Sequence, residues 1–373
     1  MKSISSHWLA TCVAALLAFV ATVAPHGDVR GEGVAPARDE AAAIELGRML
    51  FFDPKLSGDK WVSCASCHQP GLVFSDGRAH AKGVHKRTGV RNTPSLLDVA
   101  QQRSMFWDGR RAGLEQQALD PLLNSAEHGL VDNGELLEKL RADPRYVAAF
   151  ESAYGLSLRK VRVDDVARAL AAYERTLVSG PNAFDRFLAG QANALSPSAR
   201  RGWTVFDQQA QCTRCHVVEA QRPLLTDHRF HAFAPGAQQL APKLSNLRFR
   251  LAELHREGQM FSDKVLSDPD ISEAGRFAFT LDQADVASFK TPSLRNVALT
   301  APYMHNGSVA TLAEAVDLEL QYRGEVANRA VVLSASERED LLAFLRALTG
   351  ESPAEVPEPD GPPPTTQQSA AVR

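Results

Sequence analysis

The chain has 373 residues, 44% of them hydrophobic, and its 41 Lys and Arg stand against 44 Asp and Glu, a net charge of −3. A slightly acidic balance offers no case for nucleic-acid binding, which would need a basic surface. The length suits two domains.

In chain order, Lys2, an apolar stretch from about Trp8 to Ala24 and the small residues Ala21 to Ala24 form a secretory signal over residues 1–24. Its removal takes away one lysine and no acid, leaving a net charge of about −4. Cys12 precedes most of the apolar run, which argues against a lipoprotein cysteine. No later segment is long and apolar enough to span a bilayer, so the expected address is the bacterial periplasm. Asp39 to Phe52 places Ala43, Ile44, Leu46, Leu50 and Phe51 at helical spacing, and Val161 to Val178 does the same with Val166, Ala169, Leu170, Tyr173 and Leu177. Ser179 to Leu195 reads as a junction. Ser196-Pro197 is an N-cap with Pro at the first helical position, opening a helix through Trp203 and Phe206. Ser336 with Glu339 reads as the capping box of a last helix through Leu341, Leu345 and Leu348, with Gly350 as its stop. Residues 351–373, rich in Pro, Glu, Gln and Ser, read as a disordered tail.

Two motifs carry the chemistry: Cys64-Ala-Ser-Cys67-His68 and Cys212-Thr-Arg-Cys215-His216. C-x-x-C-H suits covalent attachment of a c-type haem, because two thiols add to the two vinyl groups of one porphyrin and the adjacent imidazole ligates its iron. Zinc sites built from C-x-x-C pairs need no His directly after each pair. A thioredoxin-like pair would occur once, near a βαβ pattern that is missing here. Two copies therefore predict two covalent haems, ligated by His68 and His216, and covalent haem attachment itself fits export.

Between and beyond these motifs stand Arg91-Asn92-Thr93-Pro94-Ser95, Phe106-Trp107-Asp108-Gly109-Arg110, Gln117 and Ser125-Ala126-Glu127-His128, then Phe289-Lys290-Thr291-Pro292-Ser293-Leu294-Arg295-Asn296 and Ala301-Pro302-Tyr303-Met304-His305-Asn306-Gly307. With these residues the chain, over about 40–350, resembles the bacterial dihaem cytochrome c peroxidases and their relative MauG, which oxidises residues of a partner protein. Helical pattern and resemblance together predict an all-α fold, with cytochrome c-like haem domains over 39–178 and 196–350 packed around a central interface. The resemblance implies that the first haem handles hydrogen peroxide, that Trp107 lies between the haems, and that Gln117 and Glu127 are the distal pair, with Glu127 as the proton shuttle. It further implies a calcium ion held by Asn92, Thr300 and Pro302, and a His near the second haem at His305.

Two positions depart from the peroxidase pattern. Seventeen residues after the counterpart of Pro302, the peroxidases have a Met that ligates the second iron, and MauG has a Tyr. Here the count arrives at Glu319, Tyr322 follows one helical turn later, and no Met occurs after Met304. A helix over Leu312 to Tyr322 would put Leu312, Val316, Glu319 and Tyr322 on one side. Some family members also cap the first iron with a removable His in the loop before the Arg-Asn-Thr-Pro motif; His85, one residue out of register, and His80 are the candidates. The expected function is a peroxide-consuming dihaem oxidase acting on a small periplasmic electron-donor protein or on a protein substrate, with room for a homodimer. The different-class alternative is a dihaem electron-transfer cytochrome without turnover of its own.

Overall fold

The computed structural model describes residues 37–219, 221–257, 261–326 and 330–350. The expected signal segment, Cys12 and the expected tail lie outside them. The fold is mostly helical. Strand structure among the described residues is one antiparallel pair, Phe230–Ala232 with Ser288–Lys290, in which Phe230 faces Lys290.

Two helix crossings organise the chain, and they repeat each other. Glu40–Phe52, capped by the Asp39 carboxylate, packs on Val163–Glu174 at Gly47, where a Cβ would stand 1.9 Å from the Ala169 carbonyl oxygen. Pro197–Thr204, capped by Ser196, packs on Ala335–Arg346 at Gly202, where a Cβ would stand 1.8 Å from the Asp340 carbonyl oxygen. Only glycine allows backbones this close. The repeat extends into the loops. Ser95 and Ser293 donate to the carbonyls of Val73 and Leu224, and Ser75 and Thr226 donate to those of Thr93 and Thr291.

Each crossing anchors a core. The first gathers Leu46, Phe51, Leu136, Phe150, Leu170 and Tyr173; the second gathers Phe184, Phe206, Leu341, Phe344 and Leu348. A third, smaller core around Leu240, Leu251, Ile271 and Phe277 lies between the second haem motif and the Ser288 strand.

Two local expectations need correction. The last helix is capped by Ser334 with Glu337, not by Ser336 with Glu339. The sequence Ser-Ala-Ser-Glu-Arg-Glu contains two overlapping boxes, and the earlier one starts beside Leu333, which packs on the second core. Ser336 merely bonds to the Ser334 hydroxyl, and Glu339 faces Arg338 at 3.5 Å. Gly350 does not stop that helix, which ends at Arg346. Instead its N–H donates to Asn296 Oδ1, and a Cβ there would lie 2.3 Å from the Gly180 carbonyl oxygen.

Candidate haem centres and the cavity between them

A cavity of about 1540 Å³ is lined by Cys64, Cys67 and His68 on one side and by Cys212, Cys215 and His216 on the other. Ser63 and Ser66 form a capping box that winds Cys64–Cys67 into a single helical turn, and the His68 N–H closes it on the Cys64 carbonyl. In the second motif the His216 N–H returns to the Cys212 carbonyl at 2.9 Å. Each turn presents two thiols and an imidazole to the cavity.

Both imidazoles are oriented the same way. His68 Nδ1 lies 2.9 Å from the Phe74 carbonyl oxygen, and His216 Nδ1 lies 2.7 Å from that of Leu225. Phe74 and Leu225 both sit in the left-handed region, at φ 58 and φ 57, which aims each carbonyl back at its ring. An Nδ1–H held by a carbonyl fixes the tautomer that leaves Nε2 as the ligating atom. Burial holds His68 below its ordinary value, in the neutral form an iron ligand needs. Burial also raises the Cys64 thiol and pushes that of Cys67 up to about 12. None of the four thiols is in a disulfide. Among the described residues, the one group of His, Cys and carboxylates close enough to hold an ion is Cys215, Asp227 and His231. It takes one thiol of a pair rather than both, which does not fit a C-x-x-C zinc site. The donor set, the pre-oriented imidazoles and the size of the cavity fit two covalently attached porphyrins.

Around the first motif, Gln117 (from the helix Leu114–Leu123) and Glu127 line the cavity. The Glu127 loop is pinned by its N–H to the Asn124 carbonyl at 3.0 Å and by its own carbonyl, which accepts from Val84 N–H at 2.8 Å. Burial pushes the Glu127 carboxyl up to about 7; Arg110 opposes this, and Asp120 and Asp263 add to it. A carboxyl so placed exchanges a proton readily at neutral pH.

Trp107 ties the halves together. Its Nε1–H donates to the Asn92 carbonyl at 3.0 Å and its own carbonyl accepts from Lys290 N–H at 2.8 Å, while Asn92 N–H donates to the His305 carbonyl at 2.9 Å. Below it the fully buried Asp108 holds Arg110 at 2.9 Å and Arg91 at 3.4 Å. His305, at the position of the second half that matches Trp107, stacks on Phe289 with centroids 3.8 Å apart and meets Glu273 Oε2 at 2.9 Å.

Asn92, Thr300 and Pro302 all line the cavity. Asn92 Nδ2 donates to the Arg78 carbonyl at 2.9 Å, which orients its amide. The helix Leu312–Val326 turns Leu312, Val316, Glu319 and Tyr322 to the cavity, and the Tyr322 ring meets Phe233 edge-on at 5.6 Å. His85 and His80 are not on the cavity wall: His85 is exposed in a tight turn at φ 54.

Sequence reasoning gave no role to two buried polar groups on the cavity wall near the first motif. Glu174 is 5% exposed, its Oε2 has no hydrogen-bond partner, and burial pushes it up to about 8. His128 is buried, with Nε2 3.9 Å from Cys64 Sγ, and is pushed down to about 4 by burial. Only periodicity pointed to Glu174, and it gave a helix rather than a cavity face.

Two C-x-x-C-H turns, each with a carbonyl-oriented imidazole, facing one cavity bridged by a fixed indole define a dihaem c-type oxidoreductase. The comparisons give the family. The family model for di-haem cytochrome c peroxidase matches residues 41–193. The cytochrome-c peroxidase IdrP1 of Pseudomonas sp. is 34% identical over 327 residues, covering 84% of this chain and 82% of that protein. The methylamine utilization protein MauG of Methylorubrum extorquens is 34% identical over 325 residues, covering 86% and 81%. The crystal structure of a MauG-like protein associated with microbial copper homeostasis superposes with a TM-score of 0.66 at 28% identity, covering 88% of this chain and 96% of that one. The chain belongs to the dihaem cytochrome c peroxidase and MauG family, and it is a dihaem peroxidase-type enzyme.

Proposed function

We propose that the protein is an exported, MauG-like dihaem oxidase that draws oxidising equivalents from hydrogen peroxide and spends them on a protein. The observation that carries this reading is the cavity face of the Leu312–Val326 helix, which offers Glu319 and Tyr322 beside the second haem motif and no Met. An anionic oxygen donor favours the higher oxidation states of iron and lowers its potential, whereas a thioether raises it. Glu319, with Tyr322 as the alternative, is therefore the proposed sixth ligand, and the second haem is not a high-potential electron store.

The haems, when bound, supply the iron chemistry that accepts electrons singly and reacts with peroxide. The chain supplies the rest. His68 and His216, their Nδ1 atoms held by the Phe74 and Leu225 carbonyls, would hold the irons through Nε2. The Glu127 carboxyl takes a proton from one peroxide oxygen and returns it to the other, and the Gln117 amide positions the peroxide. Trp107 is held rigidly by Asn92 and Lys290 and provides the oxidisable indole between the two sites. Asn92 Oδ1 with the carbonyls of Thr300 and Pro302 gives the hard oxygen donors that suit calcium. In this reading the chain comprises two haem domains, over 39–178 and 196–350.

Peroxide detoxification with a small cytochrome or copper protein as donor is the second reading, favoured by the peroxidases among the relatives. Steady-state peroxide consumption with reduced cytochrome c separates the two. Rapid, sustained turnover supports detoxification; weak turnover, with oxidising equivalents that persist after peroxide is gone, supports the MauG-like reading. A holoenzyme that exchanges electrons but leaves peroxide untouched would be a plain electron-transfer cytochrome.

A further inference from the structure

Leu266 reaches the wall of the first haem site from the other half of the chain, and the chemistry above leaves it without a role. It sits in the helix Phe261–Ser267, beside the third core, and lines the cavity. Three residues ahead of it, and so on the same side of the helix, Asp263 Oδ1 accepts the Ser125 N–H at 2.9 Å. Ser125 is two residues before Glu127. The helix therefore abuts the loop that carries the proton-shuttling carboxyl.

Leu266 is held in place from several directions. A Cβ on Gly89 would stand 3.6 Å from Leu266 Cβ and 3.7 Å from its Cδ2. Two residues after Gly89, the buried Arg91 donates from Nε to the Ser272 hydroxyl and from a terminal nitrogen to the Ser272 carbonyl, both at 2.6 Å. Val265, next to Leu266, is fully buried in the third core. The helix is thus seated on its own core, pinned to the Glu127 loop at Asp263, and continues into a segment tied to the first half at Arg91. Leu266 itself is only 9% exposed.

Its neighbours on this stretch of wall are small. Gly83, Gly89 and Ala126 line the cavity and offer no side chain beyond Cβ. Gly83 is pressed so closely on the Glu127 loop that a Cβ there would lie 2.0 Å from the Ala126 carbonyl oxygen. Leu266 is the branched side chain that fills the space these residues leave. A packed wall of this kind does not yield to a bulky group without cost. Glu127 and Gln117 need only the two peroxide oxygens, so a carbon branch on the second oxygen must find its room against the wall.

We propose that Leu266 sets the size limit of the peroxide site, admitting hydrogen peroxide and turning away branched alkyl hydroperoxides. The proposal rests on the peroxide-consuming function given above. The chemistry is the same for both substrates: the O–O bond breaks, with two electrons from the holoenzyme and two protons. Hydrogen peroxide gives two water molecules, and tert-butyl hydroperoxide gives tert-butanol and one water. A change in the ratio of their rates on substitution of Leu266 therefore reports on access.

The test is stopped-flow mixing of the dihaem holoenzyme with hydrogen peroxide and, separately, with tert-butyl hydroperoxide. Leu266→Ala should raise the tert-butyl to hydrogen peroxide rate ratio by about tenfold or more, Leu266→Val should raise it less, and Leu266→Phe should lower it. Both rates come from one preparation, so any fraction lost to misfolding cancels from the ratio. The same change should appear without turnover: imidazole, read from the Soret shift of the diferric protein, should bind Leu266→Ala about tenfold tighter relative to cyanide than it binds the wild type. A rate ratio for Leu266→Ala within about twofold of the wild type's would overturn the proposal while leaving the peroxide function intact. So would a wild type that takes both peroxides at equal rates. A holoenzyme inert to hydrogen peroxide itself would remove the proposed function and this limit with it.

Discussion

Replacing Glu127 by Gln keeps the volume and hydrogen-bonding outline of the side chain and removes the proton. The carboxyl is pushed from 4.5 up to about 7, chiefly by burial, so near pH 7 about half the molecules hold it protonated and half ionised. A group balanced in this way both accepts and returns a proton, and its removal should slow the reaction with peroxide by about 100- to 10,000-fold. Because the raised pKa belongs to an acid, the ionised form that starts the shuttle grows as pH rises. The wild-type rate should therefore climb between about pH 6 and 8, with its midpoint near the carboxyl's value, and the variant's should be flat there. Stopped-flow mixing of the diferric holoenzyme with peroxide, without donor, gives both quantities. A rate for Glu127→Gln within about threefold of wild type, or a variant that keeps the same inflection, would refute the assignment.

Gly202→Ala forces a Cβ to within 1.8 Å of the Asp340 carbonyl oxygen and should cost about 1–3 kcal/mol or more in thermal or denaturant unfolding, whereas Gly71→Ala, with nothing near its Cβ, should be close to neutral. Arg295→Met strands Asp185 and Asp98, which the guanidinium meets at 2.8 and 3.3 Å in the buried interior, and should destabilise by about 3–5 kcal/mol. Glu174 titrates at about 8 in the fold against 4.5 ordinarily, so the native state holds its proton over that interval and its contribution to stability falls as pH rises through it. Glu174→Gln should accordingly gain stability relative to wild type between pH 5 and 8, read as the difference in melting temperature; a difference that does not change with pH contradicts this. Of Glu319→Gln and Tyr322→Phe, the one that removes the sixth ligand should change the EPR spin state of the second haem and the other should not; no change in either would place the ligand elsewhere.

How much of this was legible in the sequence varied with the kind of signal. The haem turns were legible because C-x-x-C-H states its chemistry in five residues, and the Leu312–Tyr322 face followed from helical spacing. The family resemblance pointed to Glu127 and Trp107, but not to what holds them: Val84 and Lys290, distant in sequence, supply the hydrogen bonds. The repeat of the two halves escaped notice because, beyond the two C-x-x-C-H motifs, its shared run is the short Thr-Pro-Ser-Leu-x-x-Val-Ala, while its substance is backbone geometry at Phe74, Leu225, Gly47 and Gly202. Glu174 read as one more helical residue since periodicity reports a face and not what the face meets. The last cap was misplaced by two residues because overlapping Ser-x-x-Glu boxes are equal in sequence and differ only in which start seats Leu333 on the core.

The central claim is that this chain binds two haems covalently and uses them to consume peroxide. Its most direct test is the stoichiometry of one preparation, with intact mass under denaturing conditions read alongside donor oxidation per peroxide. The account predicts the polypeptide mass plus two haems, and two one-electron donor equivalents oxidised for each peroxide lost. One haem or none, or donor oxidation without peroxide loss, would contradict it.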